Sequence, residues 1–316
     1  MNVFNSFGRS PRESEGAKFE RDRQPPKRAL VLSNRHARQG KSQAVERAIA
    51  YLTAFGLEIV RECPEDPRDL PDVIRKYRNC VDLVVIGGGD GTLNAAVEGL
   101  VEVQLPLGIL PLGTANDLAR TLNIPNAIEA ACETIARGRV RYIDLGWVNG
   151  KYFFNVASLG LSVDITQKLT KEAKHRWGVL AYAATAFKVL WKARPFRAQI
   201  IANGQCIRVK TIQIAVGNGR YYGGGMTVIH DATIDDRRLD LYSLEVKHWW
   251  EIIYLFPALW QGRHHRMRGV RTLEGQDIRI ETRKHCEINT DGELTTQTPA
   301  HFRVIPQILP VLVPYS

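Results

Sequence analysis

At 316 residues the chain is long for one core and sufficient for two domains, and its 44% hydrophobic and 24% charged content exclude a disordered or fibrous protein. The formal net charge of +10 favours an anionic partner, whether nucleotide, nucleic acid or anionic lipid surface, without selecting among them. The five cysteines are odd in number and contain no CxxC pair, which excludes a disulfide framework or zinc ribbon and fits a reducing cytoplasm.

Residues 1–27 hold Arg9, Arg12, Lys18, Arg21 and Arg23 among acids and serines, with no apolar run of signal-peptide length, and read as a mobile basic tail ending at Pro25-Pro26. The apolar stretches Gly178 to Trp191 and Trp249 to Trp260 fall short of the roughly 20 residues that span a bilayer, and Lys188 and Glu251 interrupt them. From Arg28 onward, strands and helices alternate. The sequence predicts strands at 29–34, 57–60, 81–86 and 107–110, and helices at 42–55, 70–77, 92–101, 114–121 and 126–137. Val81 to Ile86 is a continuous β-branched run of the kind buried on both faces of a parallel sheet. The expected architecture is an α/β domain over 28–141, a parallel sheet with flanking helices.

After Arg141 the pattern changes to short alternating runs at 152–156, 198–202, 206–209, 211–216, 239–244, 277–281 and 301–305. Asn149-Gly150, Asn203-Gly204, Gly217-Asn218-Gly219 and Asp291-Gly292 supply the turns between them. Residues 142–316 are therefore expected to form a mostly antiparallel β-rich domain. Helices near 171–191 and 249–260 would interrupt it, and the last strand would be able to return to the first domain.

The strongest local signal is Gly87-Gly88-Gly89-Asp90-Gly91-Thr92-Leu93-Asn94, directly after the buried strand and opening a helix. Glycines allow close backbone approach, and a helix N-terminus presents amides and a positive dipole end to phosphate. Asp90 would repel phosphate unless it serves a metal, a hydroxyl or a proton. Pro111-Leu112-Gly113-Thr114-Ala115-Asn116-Asp117 repeats the arrangement after the next strand, so both loops fall at the carboxyl edge of the sheet, where open α/β folds bind ligands. Asn116 and Asp117 fit helix capping as well as ligand contact. Gly40-Lys41-Ser42 imitates the end of a Walker A loop, but Arg35 stands where its first glycine is required, so the chain is not a P-loop protein.

GGGDGTLN, PLGTANDLAR, GNGRYYGGGM, DATIDDRRLDL and the late DGE, in this order, resemble the diacylglycerol kinase catalytic-domain family, specifically its soluble bacterial lipid kinases, relatives of the sphingosine kinases. The resemblance spans Arg28 to the C-terminus. It implies an NAD-kinase-like fold, ATP and Mg2+ bound between two domains, and transfer of the γ-phosphate to a lipid hydroxyl, with diacylglycerol as the default acceptor. It assigns nucleotide binding to Asn34, Gly88, Gly89, Asp90, Gly91, Thr92, Leu93, Asn94 and Thr114, and places Cys63 where relatives often carry a Thr. A structural magnesium is implied at Asp236, with the carbonyls of Thr233 and Arg238; an ordinary turn capped by Asp235 or Asp236 fits the bare sequence equally. Asp291 of Asp291-Gly292-Glu293 is implied as general base, although the sphingosine kinases give that role to the residue matching Asp90; Glu293, two residues on and so on the same side of a regular strand, would orient Asp291 or raise its basicity.

An NAD-kinase-like enzyme and an inactive nucleotide- or membrane-binding relative are the alternatives. The expected partner is a lipid at an anionic membrane surface, reached from the cytoplasm by peripheral adsorption of the aromatic and basic stretch 249–271, although core packing accounts for most of those aromatics. No nucleic acid is expected, and a homodimer is left open.

Overall fold

The computed structural model describes residues 27–33, 39–164, 194–219, 221–222, 226–227, 233–246, 251 and 269–315. The expectations for the N-terminal tail, Asn34, the helices near 171–191 and 249–260 and the aromatic-basic stretch as far as Arg268 lie outside these residues.

The first half alternates as its periodicity requires. β1 (Arg28–Ser33), α1 (Gln39–Ala54), β2 (Glu58–Glu62), α2 (Leu70–Tyr77), β3 (Leu83–Gly88), α3 (Asp90–Val103), β4 (Leu107–Pro111), α4 (Asp117–Thr121) and α5 (Ile128–Arg137) follow in order. β3 lies between β1 and β4, parallel to both, and Leu83, Val84, Val85 and Ile86 are fully buried. α1 turns Val45, Ala48 and Leu52 inward at helical spacing and packs with α5, while α2 packs with α3. Each fully buried aliphatic side chain here stabilises the fold by about 1.5–3 kcal/mol.

The second half is antiparallel. β5 (Arg139–Val148), β6 (Lys151–Phe153), β7 (Val156–Gly160), β8 (Phe196–Ala202), β9 (Gln205–Thr211), β10 (Gln213–Gly217), the short pair β11 (Tyr221–Tyr222) and β12 (Met226–Thr227), and β13 (Leu239–Leu244) come first. β14 (Val270–Gly275), β15 (Asp277–Thr282), β16 (Glu287–Thr290), β17 (Glu293–Gln297) and β18 (Ala300–Val313) complete the chain. One sheet has the order β14-β13-β10-β7-β16-β17. Its inward residues Leu159, Ile214, Val216, Leu241 and Ile288 meet Ile200 of β8, Ile278 and Ile280 of β15 and Phe302 of β18 in a second core.

The other sheet runs through the whole molecule as β2-β1-β3-β4-β18-β15-β8-β9. β18 makes this continuous: Val311 pairs with Leu107 of β4, and Ala300 to Arg303 pair with β15. β5 accompanies it from Arg139 to Val148, across position 141 where the sequence patterns change, so the division falls inside a strand. β5 is not among the strands expected from sequence, because Asp144 and Gly146 interrupt its apolar pattern. The strand expected at 152–156 is instead two strands, broken at Phe154-Asn155. Phe153 joins the second core and Phe154 the first, so the break is where the chain passes between cores.

Candidate active site

The two glycine loops touch through their backbones. A Cβ on Gly89 would lie 2.9 Å from the Gly113 Cα, and one on Gly113 only 2.5 Å from the Gly89 Cα. Neither position accepts a side chain without separating β3 and β4. Gly88 is closed in the same way by Thr92, 2.6 Å from its notional Cβ. Gly91 differs: it is exposed, its φ is not positive, and its notional Cβ meets only Glu293 Oε1 at 3.9 Å. The protein's own packing does not require glycine there. No side chain caps the N-terminus of α3, which opens at this point.

Asp90 is the first residue of α3, and its carboxylate accepts the amides of Asp117 and Leu118, both at 3.1 Å. It thereby closes the N-terminus of α4 and ties the two loops together. Asn116, with φ 52°, accepts the Gly113 amide at 2.8 Å and donates to the carbonyls of Pro111 and Gly113. Thr114 is exposed at the head of this loop. Leu93 is buried in the first core, so only its backbone is placed to meet a ligand. Asn94 donates from Nδ2 to the Thr290 carbonyl at 3.3 Å, joining α3 to the β16–β17 turn of the second domain.

That turn carries Asp291 (φ 48°) and Gly292 (φ 99°), a left-handed pair that reverses the strands tightly. The Asp291 backbone amide donates to the Val156 carbonyl at 2.9 Å. Its carboxylate fills the break between β6 and β7: Oδ2 accepts the Phe154 amide at 2.6 Å, and Oδ1 accepts Asn155 and Val156 at 2.9 and 3.0 Å. Part of its surface stays open while protein crowds the rest. Burial pushes its pKa up to about 6 against the three amides, which pull it down, and the charge of Asp90 raises it further. The two carboxylates therefore sense each other across the junction of the domains. Glu293 follows the turn, so the regular strand that would set it beside Asp291 is absent, and its carboxylate is directed toward Gly91.

Behind Asp291 stands a chain of buried polar groups that the sequence does not announce. Asn218, 3% exposed, donates from Nδ2 to the carbonyls of Phe154 (2.9 Å) and Asp144 (3.0 Å), and its amide donates to Asn155. Asp144 is fully buried on β5, and its carboxylate accepts the amides of Arg237 (2.6 Å) and Gln307 (2.7 Å). Burial is the largest influence on Asp144 and raises its pKa; Asp235 and Asp236 add to the rise. The only signals of this chain in the sequence are an acid inside an apolar run at 143–148 and the Gly217-Asn218-Gly219 turn.

The segment Thr233 to Asp240 gathers around Asp144. Asp235 forms a bidentate pair with Arg141 at 2.9 and 2.6 Å. Asp236 accepts the amides of Thr233 (3.3 Å) and Arg238 (3.2 Å), and the Arg238 Nε lies 3.1 Å from its Oδ2. A magnesium on Asp236, expected with the carbonyls of Thr233 and Arg238, would compete at Oδ2 with the Arg238 guanidinium. Among the described residues no cluster of three His, Cys, Asp or Glu side chains is placed to hold a metal.

Residues 28–148 match the family model of the diacylglycerol kinase catalytic domain, and residues 155–313 match that of the YegS C-terminal NAD kinase beta sandwich-like domain. The chain is 30% identical to a diacylglycerol kinase of Bacillus subtilis (strain 168) over 74% of its own length and 78% of the relative's. A protein provisionally named a lipid kinase in Staphylococcus aureus (strain JH9) is 28% identical over 75% of this chain and 79% of that one. A crystal structure described as a diacylglycerol kinase from Bacillus anthracis str. Sterne superposes with a TM-score of 0.75 at 25% identity, covering 92% of this chain and 98% of that one. The class defined by fold and relatives is that of the two-domain lipid kinases. The chain belongs to the diacylglycerol kinase catalytic-domain family.

Proposed function

We propose that the protein transfers the γ-phosphate of ATP to a lipid hydroxyl, with diacylglycerol as acceptor and phosphatidic acid as product. The observation that carries this reading is the Asp291 carboxylate, cradled by the amides of Phe154, Asn155 and Val156 beside the turn that Asn94 of α3 holds, with burial pushing its pKa up to about 6. A general base works best when its pKa lies near the operating pH, and an ordinary exposed carboxylate is about two units too acidic for that. Oδ2 accepts one amide and Oδ1 two, so Oδ2 keeps a lone-pair direction for a hydroxyl proton.

The acceptor oxygen bonds to the γ-phosphorus as the bond to the β–γ bridging oxygen breaks. ADP leaves with that electron pair, and the hydroxyl proton passes to Asp291. Phosphoryl transfer asks mainly for positioning and charge stabilisation. The uncapped start of α3 and the unhindered Gly91 suit a phosphate held by backbone amides. Mg2+ carried with ATP would supply neutralisation of the β- and γ-oxygens. The lipid would be met at an anionic membrane surface by adsorption. No helix among the described residues is long and apolar enough to cross a membrane, and the net charge of +10 favours anionic lipid.

Incubation with γ-labelled ATP and a panel of diacylglycerol, phosphatidylglycerol, a sphingoid base, ceramide, a prenol and NAD tests the proposal. Label in phosphatidic acid is expected. Label in NAD alone, or in no acceptor, overturns the lipid-kinase reading, and label in another lipid alone overturns the choice of diacylglycerol.

A further inference from the structure

The 233–240 segment is rich in acids, yet each carboxylate has an internal partner. Asp235 is held by Arg141, and Asp144 by the amides of Arg237 and Gln307. Asp236 and Asp240 converge with Glu274 of β14 on one side chain. The Arg238 Nε lies 3.1 Å from Asp236 and 3.6 Å from Asp240, and its Nη1 donates to Glu274 at 3.0 Å. Asp240 is 3% exposed, so one of the three ion pairs is largely removed from solvent. We propose that the Arg238 guanidinium is the cation of this segment, doing the structural work for which a magnesium ion would otherwise be expected.

Chemistry favours the arginine here. Its charge is permanent, its planar donors suit several carboxylates at once, and it is less strongly hydrated than a compact cation. Magnesium gives up its waters reluctantly and demands near-octahedral oxygen geometry. On Asp236 it would find Oδ2 shared by the Thr233 amide and the Arg238 Nε, and to bind there it would have to displace Arg238. Without Arg238, Asp236, Asp240 and Glu274 would face one another with no cation between them. Removing Arg238 therefore creates a demand for a cation that the wild-type segment lacks. The segment matters because it is anchored in the first core by Ile234, 1% exposed, while its strand β13 belongs to the second sheet. Through Arg237 and Asp144 it also supports the polar chain behind Asp291.

Thermal unfolding of the full chain without nucleotide, in EDTA or in MgCl2 at matched ionic strength, tests the assignment. The wild-type melting temperature should be the same in both. Arg238→Met should melt lower in EDTA by about 2–4 °C or more, the shift that a loss of about 1 kcal/mol produces in a domain of 150–250 residues, and should regain part of that saturably with Mg2+. The double variant Arg238→Met, Asp236→Asn should lose the regain. Arg238→Lys, which keeps the charge, should remain more stable in EDTA than Arg238→Met and separates loss of the cation from loss of the side chain. A saturable rise of the wild-type melting temperature with Mg2+, abolished by Asp236→Asn and retained in Arg238→Met, would show that an ion holds the segment and overturn the proposal. So would an Arg238→Met protein as stable in EDTA as the wild type.

Discussion

Asp90 and Asp291 are both held by backbone amides, but the amides come from very different distances along the chain. Those bonded to Asp90 lie 27 and 28 residues away, at the start of the next helix in the same α/β unit. Those bonded to Asp291 lie 135 to 137 residues away, at a break between two strands. The first carboxylate is a product of one supersecondary unit; the second is assembled only when β16 pairs with β7, a strand far away in sequence. Asp90 also fastens two loops to each other, whereas Asp291 fastens its own turn to the strand break. Position within the fold thus separates the two acids: one ties the two glycine loops together, and the other, crowded by protein and by three amides, has its pKa pushed up.

The largest effect that would break this comparison comes from Asp90→Asn. Both Asp90 oxygens accept amides, so an amide side chain must set its own NH2 against one of those donors. Near-complete loss of phosphoryl transfer is expected, with a stability loss of about 1–3 kcal/mol for the unsatisfied donor. Turnover assays and denaturant titration check the two together; wild-type-like turnover in the folded variant would remove the glycine loop from catalysis. Asp291→Asn comes next. It should bind ATP normally and lose about 10²- to 10⁴-fold in turnover, the usual size of a general-base contribution. Nucleotide binding and single-turnover transfer on one preparation separate these effects. If that variant transfers at near wild-type rate while Asp90→Asn is inactive, the roles of the two acids are reversed.

Smaller effects sharpen the contrast. Asn218→Ala removes the two side-chain bonds that hold the Phe154 and Asp144 carbonyls. It should lower kcat more than it raises the ATP KM, because it loosens the amides around Asp291 without touching the glycine loops. Stability should fall by about 1–3 kcal/mol, as buried carbonyls lose their donor. An equal effect on nucleotide binding would mean that the two halves are not separable in this way. Arg237→Gly should change stability least. Arg237 has φ 60°, a region costing a non-glycine residue about 1–2 kcal/mol, partly offset by the greater unfolded-chain freedom of glycine. Its backbone bond to Asp144 needs no side chain, so stability should rise by up to about 1 kcal/mol, read by denaturant titration, with turnover unchanged.

The same comparison explains what the sequence could disclose. Gly87 to Asn94 is legible because strand, turn and helix N-terminus are contiguous, and β3 and α3 take shape almost where the pattern places them. The Asp291-Gly292 turn is legible too, since the dipeptide encodes its left-handed conformations. The amide cradle around Asp291 is not, because Phe154, Asn155 and Val156 contribute backbone, and backbone leaves no side-chain signature. β5 escapes for a related reason. Asp144 interrupts its alternation, and the partners that justify a buried acid there come from Arg237 and Gln307, far off in sequence. The acidic segment at 233–240 is legible only in part: its motif points to a cation, and the arginine that meets Asp236 stands two residues on.

The central claim is that Asp291 is a base tuned by burial and by Asp90, and the pH dependence of single-turnover transfer at saturating ATP tests it most directly. A base must be ionised to act, so the rate should rise with pH, about tenfold per unit at the acid end, and level off above a midpoint near 6. In Asp291→Asn the rate should be low and this acid limb should disappear. An acid limb that persists unchanged in Asp291→Asn, or a wild-type midpoint at the ordinary carboxylate value near 4, would contradict the account.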